Sequence, residues 1–396
     1  MQIKRQLRAL YLLEAVSGFG LAQVIWVVLL AGRGFSLAQI GLAEGFFHLV
    51  SFLCEVPSGM AADLFGRRRT LAASMGVRAL ACLAMIASRD VGGVCFAMGL
   101  SALSYNLASG TGEAITYDSL LQAGRAEDYE RVAGRMGVFY RVAATGCTLC
   151  TGASLVLGWR LAYLTDFAAA LAGLALALTL TEPPCGQDAP VTLREFWPRL
   201  RRHVADTGAF LYRHPAALAK MLLDGVCGCC AYFGGQLLQP RLMELGLASG
   251  WMGPVLALMP LAGAAGAVLA DRMKGRFSAM ALLCAGGIGL SLALAGLPVL
   301  GLTLAAGAAV TFWDGVLEVK MTARLNREFP SDRRATLVSV QSMAYSLAML
   351  PVSPLAGALC DGLGFSGGMA VLGLGLLLLV AAGMAANQWI QRRKQG

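Results

Sequence analysis

The chain has 396 residues, of which 57% are apolar and only 14% charged, with 49 glycines and a formal net charge of +9. So apolar a composition excludes an ordinary soluble domain. The positive charge sits in short segments between apolar runs, which also excludes a folded basic domain for nucleic acid.

A helix that crosses a bilayer takes roughly 20 mostly apolar residues. About twelve such runs follow one another, near 9–31, 37–58, 70–89, 92–121, 134–158, 161–181, 215–239, 250–270, 278–297, 299–323, 335–358 and 366–389. They are continuous where a lipid-facing strand would alternate, so the expected fold is all-α with twelve transmembrane helices. The first run is longer than a signal-peptide core and lacks a small-residue cleavage site, and it reads as a retained helix. One connection is long and polar, 182–214, "EPPCGQDAPVTLREFWPRLRRHVADTGAFLYRH". It divides the chain into six-helix halves, 1–181 and 215–396, joined by a linker.

An ionisable side chain inside a span costs roughly 2.5–3.5 kcal/mol on insertion scales, so each one is a site candidate. The first span carries Glu14, Gln23 and Trp26. On the second, Glu44, His48, Ser51 and Glu55 fall within about 60° of arc at 100° per residue, forming one polar stripe. That span runs into "SGMAADLFGRRRT", residues 58–70, where Asp63 and Gly66 precede three arginines. Gly66 permits a tight turn, and Asp63 offers a carboxylate to cap a helix N-terminus or pair with a loop arginine. The third span holds Arg78. The fourth has a stripe of Asn106, Ser109, Glu113 and Tyr117, with Asp118 rotated about 140° from Glu113. Arg141 in the fifth lies at a depth where it would neutralise either acid. In the second half, span seven carries Lys220, Asp224 and Gln236, and span ten carries Trp313, Asp314, Glu318 and Lys320. After the eighth span, "GAVLADRMKGR" places Asp271 before Lys274 and Arg276, repeating the Asp63 loop with a one-residue offset.

Lys and Arg near spanning helices stay on the cytoplasmic side. With the N-terminus inside, Lys4, Arg5 and Arg8; Arg67, Arg68 and Arg69; Arg125, Arg131 and Arg135; Arg194, Arg199, Arg201, Arg202 and Arg213; Arg272, Lys274 and Arg276; Arg324, Arg327, Arg333 and Arg334; and Arg392, Arg393 and Lys394 are cytoplasmic. The opposite side holds Arg33, Arg89, Arg160 and Arg241. Both termini and the linker are therefore expected in the cytoplasm.

The 11 cysteines, including Cys227, Cys229 and Cys230, lie mostly inside spans and read as small apolar helix residues, with no metal site or disulfide expected. His48, His203 and His214 are dispersed and no phosphate-binding loop is visible, so neither enzyme activity nor a cofactor is expected.

Gly59, Asp63, Gly66, Arg67 and Arg68 resemble the signature loop between helices two and three of the major facilitator superfamily. "EVPSGMAADLFGRR" and "SGTGEAITYDSL" are similar to a bacterial branch described as drug exporters. The fifth span lacks the Gly-Pro pair of the antiporter signature, and the fourth lacks the arginine of the proton-relay motif. The resemblance implies two six-helix repeats with a site near the midplane between them. It also implies a cytoplasmic latch at Gly59, Asp63, Gly66, Arg67 and Arg68, with Asp271 its counterpart. Helices one, four, seven and ten line the cavity of the family, which makes Asn106, Glu113, Tyr117, Asp224, Gln236, Trp313, Asp314 and Glu318 candidates for substrate binding or proton coupling, joined by Glu44 and His48. Glu55, Asp118 and Arg141 form a supporting charge network.

Glu14, Glu44, Glu55, Glu113, Asp118, Asp166, Asp224, Asp314 and Glu318 outnumber the embedded bases Arg78, Arg141, Lys220 and Lys320, a balance suited to cations and protons. The expected protein is a monomeric, proton-coupled secondary active exporter of small amphipathic or cationic compounds in a bacterial inner membrane. Its partners are a small-molecule substrate, protons and the lipid bilayer, and nucleic acid is not one. Import or facilitated passage of a polar metabolite, lipid translocation, and membrane sensing without flux are the alternatives.

The orientation is directly testable. Cysteines introduced within 182–214 should resist an impermeant thiol reagent in intact cells, whereas cysteines beside Arg89 should react. Equal reactivity at the two places would contradict the twelve-span arrangement.

Overall fold

The computed structural model describes residues 3–183, 197–198, 201–202, 205, 208–209, 212, 214–328 and 334–395. Residues 184–196 of the expected linker, together with His203, Arg194, Arg199, Arg213 and Arg333, lie outside the described residues. All regular structure among the described residues is helical.

Span 1 is Ile3–Gly18, Leu21–Val24 and Trp26–Gly32; span 2 is Leu37–Phe65; span 3 is Arg67–Ala87. Span 4 is Val91–Ala108 with Thr111–Gln122, span 5 is Tyr129–Leu149 with Thr151–Leu157, and span 6 is Trp159–Thr179. Span 7 is Pro215–Glu244, span 8 Ser249–Ala270, span 9 Phe277–Ala295 and span 10 Leu300–Glu328. Spans 11 and 12 are the two sides of Gly364 within Arg334–Gln395. Among the described residues, 9 helices are long and apolar enough to cross a bilayer. One of them, Ser339–Gly383, is cut in two by Gly364; span 1 falls outside the nine because breaks divide it into shorter pieces, and span 5 because its longer piece, Tyr129–Leu149, carries Glu130, Arg131, Arg135 and Arg141, so the spans number twelve.

Several helices overrun the apolar segments that announce them. Span 2 continues through Pro57 to Phe65, beyond the expected end at 58. Backbone hydrogen bonding sustains a helix after apolar side chains end, and one proline removes one bond without ending it when the surroundings hold the chain.

Three pairs of turns show the repeat. Gly34 and Gly246 follow spans 1 and 7 with φ of 90° and 88°. Gly66 and Gly275 follow spans 2 and 8, also at positive φ. Gly158 joins spans 5 and 6 at φ 80°, ψ 161°, and Gly364 joins spans 11 and 12 at φ 71°, ψ 159°. At each of these glycines the backbone takes a conformation that a Cβ disfavours, so the same residue type recurs at equivalent places in each half.

By contact the chain divides into one unit of Met1–Leu29 and Phe46–Phe210 and another of Leu30–Gly45 and Leu211–Gly396. The first has an apolar core in which Leu7, Leu10, Met75, Ile115, Leu120 and Met136 are buried together. Reciprocal serines join spans 3 and 4: Ser74 Oγ donates to the Ser104 carbonyl at 2.8 Å and Ser104 Oγ to the Ser74 carbonyl at 2.9 Å. Gln6 ties the start of span 1 to Thr181, donating to its carbonyl and accepting from its N–H, both at 2.9 Å.

The second unit relies on close helix approach. A Cβ on Gly266 would collide with the Phe312 carbonyl, one on Gly315 with the Gly263 carbonyl, and one on Gly289 with the Gly373 carbonyl. In lipid there is little hydrophobic force between helices, so such small-residue contacts supply the packing. Large apolar side chains such as Val156, Val268 and Leu378 are instead exposed, as lipid-facing positions are.

Gly315→Val should lower stability by about 1–3 kcal/mol or more, because the obstacle is backbone. Gly235→Val, with no atom within 4 Å of its Cβ position, should be tolerated. Thermal unfolding of the two variants in detergent checks the order.

Candidate functional site

Span 1 is broken between Gly18 and Leu21, and opposite charges hold the two sides of the break. Arg78 of span 3 donates through Nη1 to the carbonyls of Val16 and Ser17 at 3.2 and 3.3 Å, and through Nη2 to that of Phe19. Asp166 of span 6 accepts the N–H groups of Leu21, Ala22 and Gln23 at 2.7, 3.1 and 3.3 Å. A guanidinium thus satisfies the open carbonyls where one helix ends, and a carboxylate satisfies the open N–H groups where the next begins, each matching the local helix dipole. The sequence offers no partner for Arg78 and counts Asp166 among the cavity acids; both belong to this break.

The loop between spans 2 and 3 is held by a residue that motif spacing does not single out. Glu182, just past span 6, accepts the N–H of Arg67 and of Arg68 at 2.8 Å each, capping span 3 beside Gly66. Arg67 pairs with Asp118 of span 4 and donates to the Ala114 carbonyl at 3.1 Å, while Arg68 donates to the Leu178 carbonyl at 2.6 Å. The caps are therefore Glu182's, not Asp63's: Asp63 is exposed and makes no hydrogen bond or ion pair among the described residues. Gly59 is also exposed, and Asp271 is exposed at the end of span 8. Arg141, expected to neutralise Glu113 or Asp118, is exposed and forms no ion pair with either among the described residues, because Asp118 is taken by Arg67. Glu55 lies near Tyr105.

Between spans 4 and 5, Arg125 Nε donates to Asp128 Oδ2 at 2.7 Å, and this bond, with Arg131 alongside, holds the Asp128 carboxyl below the ordinary carboxylate range. The folded value lies below the unfolded one, so this contribution is complete at neutral pH and fades only as pH falls beneath that range.

The polar stripes of spans 2 and 4 divide between packing and open carboxylates. Asn106 is buried and joined to Ser51, accepting from its Oγ at 2.9 Å and donating to its carbonyl at 2.6 Å, an interhelical clamp that leaves little of the amide for a substrate. His48 is buried beside Phe47, with ring centroids 5.2 Å apart. Glu113 is exposed and sits in the first turn of Thr111–Gln122, after the break at Gly110. Glu14 of span 1 lies against it: its Oε1 is 3.5 Å from where a Cβ on Gly112 would be, and the two carboxylates are electrostatic neighbours. Tyr117 is exposed and meets Tyr129 edge-on at 5.4 Å.

In the second unit Asp314 has Glu318 and Asp224 as electrostatic neighbours, bringing spans 7 and 10 together. Gln341 of span 11 donates to Asp224 Oδ2 at 2.8 Å. Glu44 is buried, with Cys229 and Tyr345 nearby. Gln236 accepts from Gln239 at 2.6 Å. Trp313 packs on span 9, where a Cβ on Gly287 would lie 2.5 Å from its ring. Lys320 donates to the Met273 carbonyl at 2.9 Å, so its charge is turned to backbone. Among the described residues no group of three or more His, Cys, Asp or Glu side chains is arranged to hold a metal.

The family model described as Major Facilitator Superfamily matches residues 9–349. The chain belongs to that superfamily. Solved structures of similar fold include a nucleoside transporter, NupG, at TM-score 0.73 and 14% identity over 97% of this chain and 99% of that one. A mutant of NupG aligns at TM-score 0.76 and 13% identity over the same shares. A structure from a study titled "Structural insights into substrate recognition in proton dependent oligopeptide transporters" aligns at 0.65 and 14% over 99% of this chain and 100% of that one. No curated protein matches the sequence. This major facilitator is a multi-pass membrane transporter of small molecules.

In this facilitator the cap on span 3 is expected to be measurable. Glu182→Ala should cost about 1–2 kcal/mol by opening two helix N–H groups, whereas Asp63→Asn should change unfolding far less. Thermal unfolding that ranks the two the other way would contradict the capping geometry.

Proposed function

We propose that the protein is a proton-coupled exporter of small amphipathic or cationic compounds, working by alternating access of the 1–181 and 215–396 halves. One observation carries this reading: the bases Arg78 and Lys320 are bonded to backbone carbonyls, whereas the acid groups Glu14 with Glu113, and Asp224 with Asp314 and Glu318, adjoin other carboxylates. Acids so placed in a medium of low dielectric require a proton or a cation to neutralise them. A proton and a cationic substrate competing for the same carboxylates give antiport without further machinery.

In this reading Glu113 and Asp314 are the principal coupling acids, Glu14, Asp224 and Glu318 their neighbours, and Tyr117 an aromatic wall for the substrate. Gly59, Asp63, Gly66, Arg67, Arg68 and Asp271 serve as the cytoplasmic latch, with Glu182 supporting it. The protein works as a monomer in a bacterial inner membrane with both termini cytoplasmic, and resembles drug exporters in the motifs quoted above.

The test uses ethidium as a cationic probe in inverted membrane vesicles energised with a proton gradient. The wild type should accumulate the dye, and Glu113→Gln should lose accumulation while retaining downhill equilibration, because exchange needs access but no net protonation change. Undiminished accumulation in Glu113→Gln removes the coupling role of that residue. Failure of the wild type to move any cationic dye removes the exporter reading and favours a polar-metabolite carrier.

A further inference from the structure

Three carboxylates meet in the second unit, and their surroundings differ. Glu318 is exposed, whereas Asp224 and Asp314 are half-buried. Gln341 of span 11 donates through Nε2 to Asp224 Oδ2 at 2.8 Å. Asp314 makes no hydrogen bond or ion pair among the described residues. Around it stand Glu318 on its own helix, Asp224, Cys227 and Cys229 on span 7, Cys284 on span 9 and Tyr345 on span 11. The three cysteines are fully buried, so on their side Asp314 meets neither water nor an opposite charge. Lys320 neighbours Cys284 but donates to the Met273 carbonyl at 2.9 Å.

The packing of span 11 on span 7 delivers the Gln341 amide. A Cβ on Gly225 would lie 3.3 Å from both the Ala344 carbonyl and Tyr345 Cα, and Cys229 Sγ donates to the Tyr345 carbonyl at 3.5 Å. One helical turn past Asp224, a Cβ on Gly228 would lie 3.3 Å from the Tyr345 ring and 3.9 Å from Asp314 Oδ1. Gln341 and Tyr345 are likewise one turn apart, so the backbone contact that seats Tyr345 beside Asp314 also aims Gln341 at Asp224.

We propose that Gln341 is a positioning residue that assigns the coupling proton of this cluster to Asp314. A bond from a neutral amide to a carboxylate is charge-assisted, and it keeps Asp224 in the ionised form over the whole cycle. Glu318 keeps its charge in contact with solvent. Asp314 has neither help and faces both of the others, so it is the group that takes the proton: one hydronium gives its proton to a carboxylate oxygen of Asp314 and leaves as water, and the reverse transfer releases it. This names the proton carrier within the proton-coupled reading above and rests on it. Without the Gln341 donor, Asp224 and Asp314 become near-equivalent and share the proton.

The test reads protonated carboxyl groups directly, through their C=O stretch in infrared difference spectra between acid and neutral pH on the purified full-length chain in detergent. Asp314→Asn should remove one titrating carboxyl from the wild-type spectrum, and Asp224→Asn should remove none. In a Gln341→Met background, which keeps the length but loses the donor, the signal lost on adding Asp314→Asn should shrink by about half, and Asp224→Asn should now remove a comparable signal. Circular dichroism and monodisperse elution confirm folding, with Gln341→Ala as the second variant should the methionine not be accommodated. Loss of the carboxyl in Asp224→Asn rather than Asp314→Asn, or of none in either, overturns the assignment. An unchanged partition without the Gln341 donor makes that residue a packing element and overturns its role. Ethidium accumulation is read separately: its absence in the wild type would count against the exporter reading while the spectra still decide which acid takes the proton.

Discussion

A helix that breaks inside a bilayer exposes carbonyls on one side of the break and N–H groups on the other, with no water to satisfy them. Much of the first unit is organised around this constraint. The break at Gly18–Gly20 exists because Arg78 and Asp166, from spans 3 and 6, arrive with the charge each side requires. Span 5 adds to the same junction, with Cys147 Sγ accepting the Gly20 N–H at 3.4 Å and the Tyr140 carbonyl filling the space beside Gly18. Four helices thus meet at one kink, and removing either charge would leave both an open backbone and an uncompensated partner.

The same chemistry recurs at helix ends: Glu182 on Arg67 and Arg68, Asp361 on Leu37 and Ala38, and Asp90 on Gly93 at 2.8 Å. Acids that cap backbone are thereby separated from acids that face one another. Asp166, Asp118 and Glu182 are occupied by N–H groups or an arginine, while Glu14 with Glu113 and Asp314 with Glu318 adjoin one another. In the function proposed above, this division, rather than the surplus of acids by count, separates scaffold from transport machinery.

The twelve spans were legible in the sequence because each is a long apolar run, and lipid imposes that composition regardless of tertiary context. The loop arginines were legible for a similar reason, since charge leaves the bilayer wherever it can. The break in span 1 was not. Glycines are common throughout the chain, and nothing local distinguishes Gly18 and Gly20 from glycines in unbroken helix. The partners were illegible too. Spacing offered Asp63 as a helix cap or a partner for a loop arginine because it lies nearby in the chain, yet the packing of span 6 delivers Glu182 as the cap of span 3. Arg67 rather than Arg141 reaches Asp118, although Arg141 sits in the span that follows. For Trp313, depth in the membrane was readable but the face it occupies was not, and it packs on Gly287.

The division between capping acids and the acids proposed to couple is tested most directly by comparing the melting temperatures of two amide variants purified in the same detergent. Asp166→Asn keeps the side-chain size but removes the charge that holds three N–H groups, and should melt well below the wild type. Asp314→Asn removes a charge that has Glu318 and Asp224 as like-charged neighbours, and should melt at or above it. A lower melting temperature for Asp314→Asn than for Asp166→Asn would contradict the account.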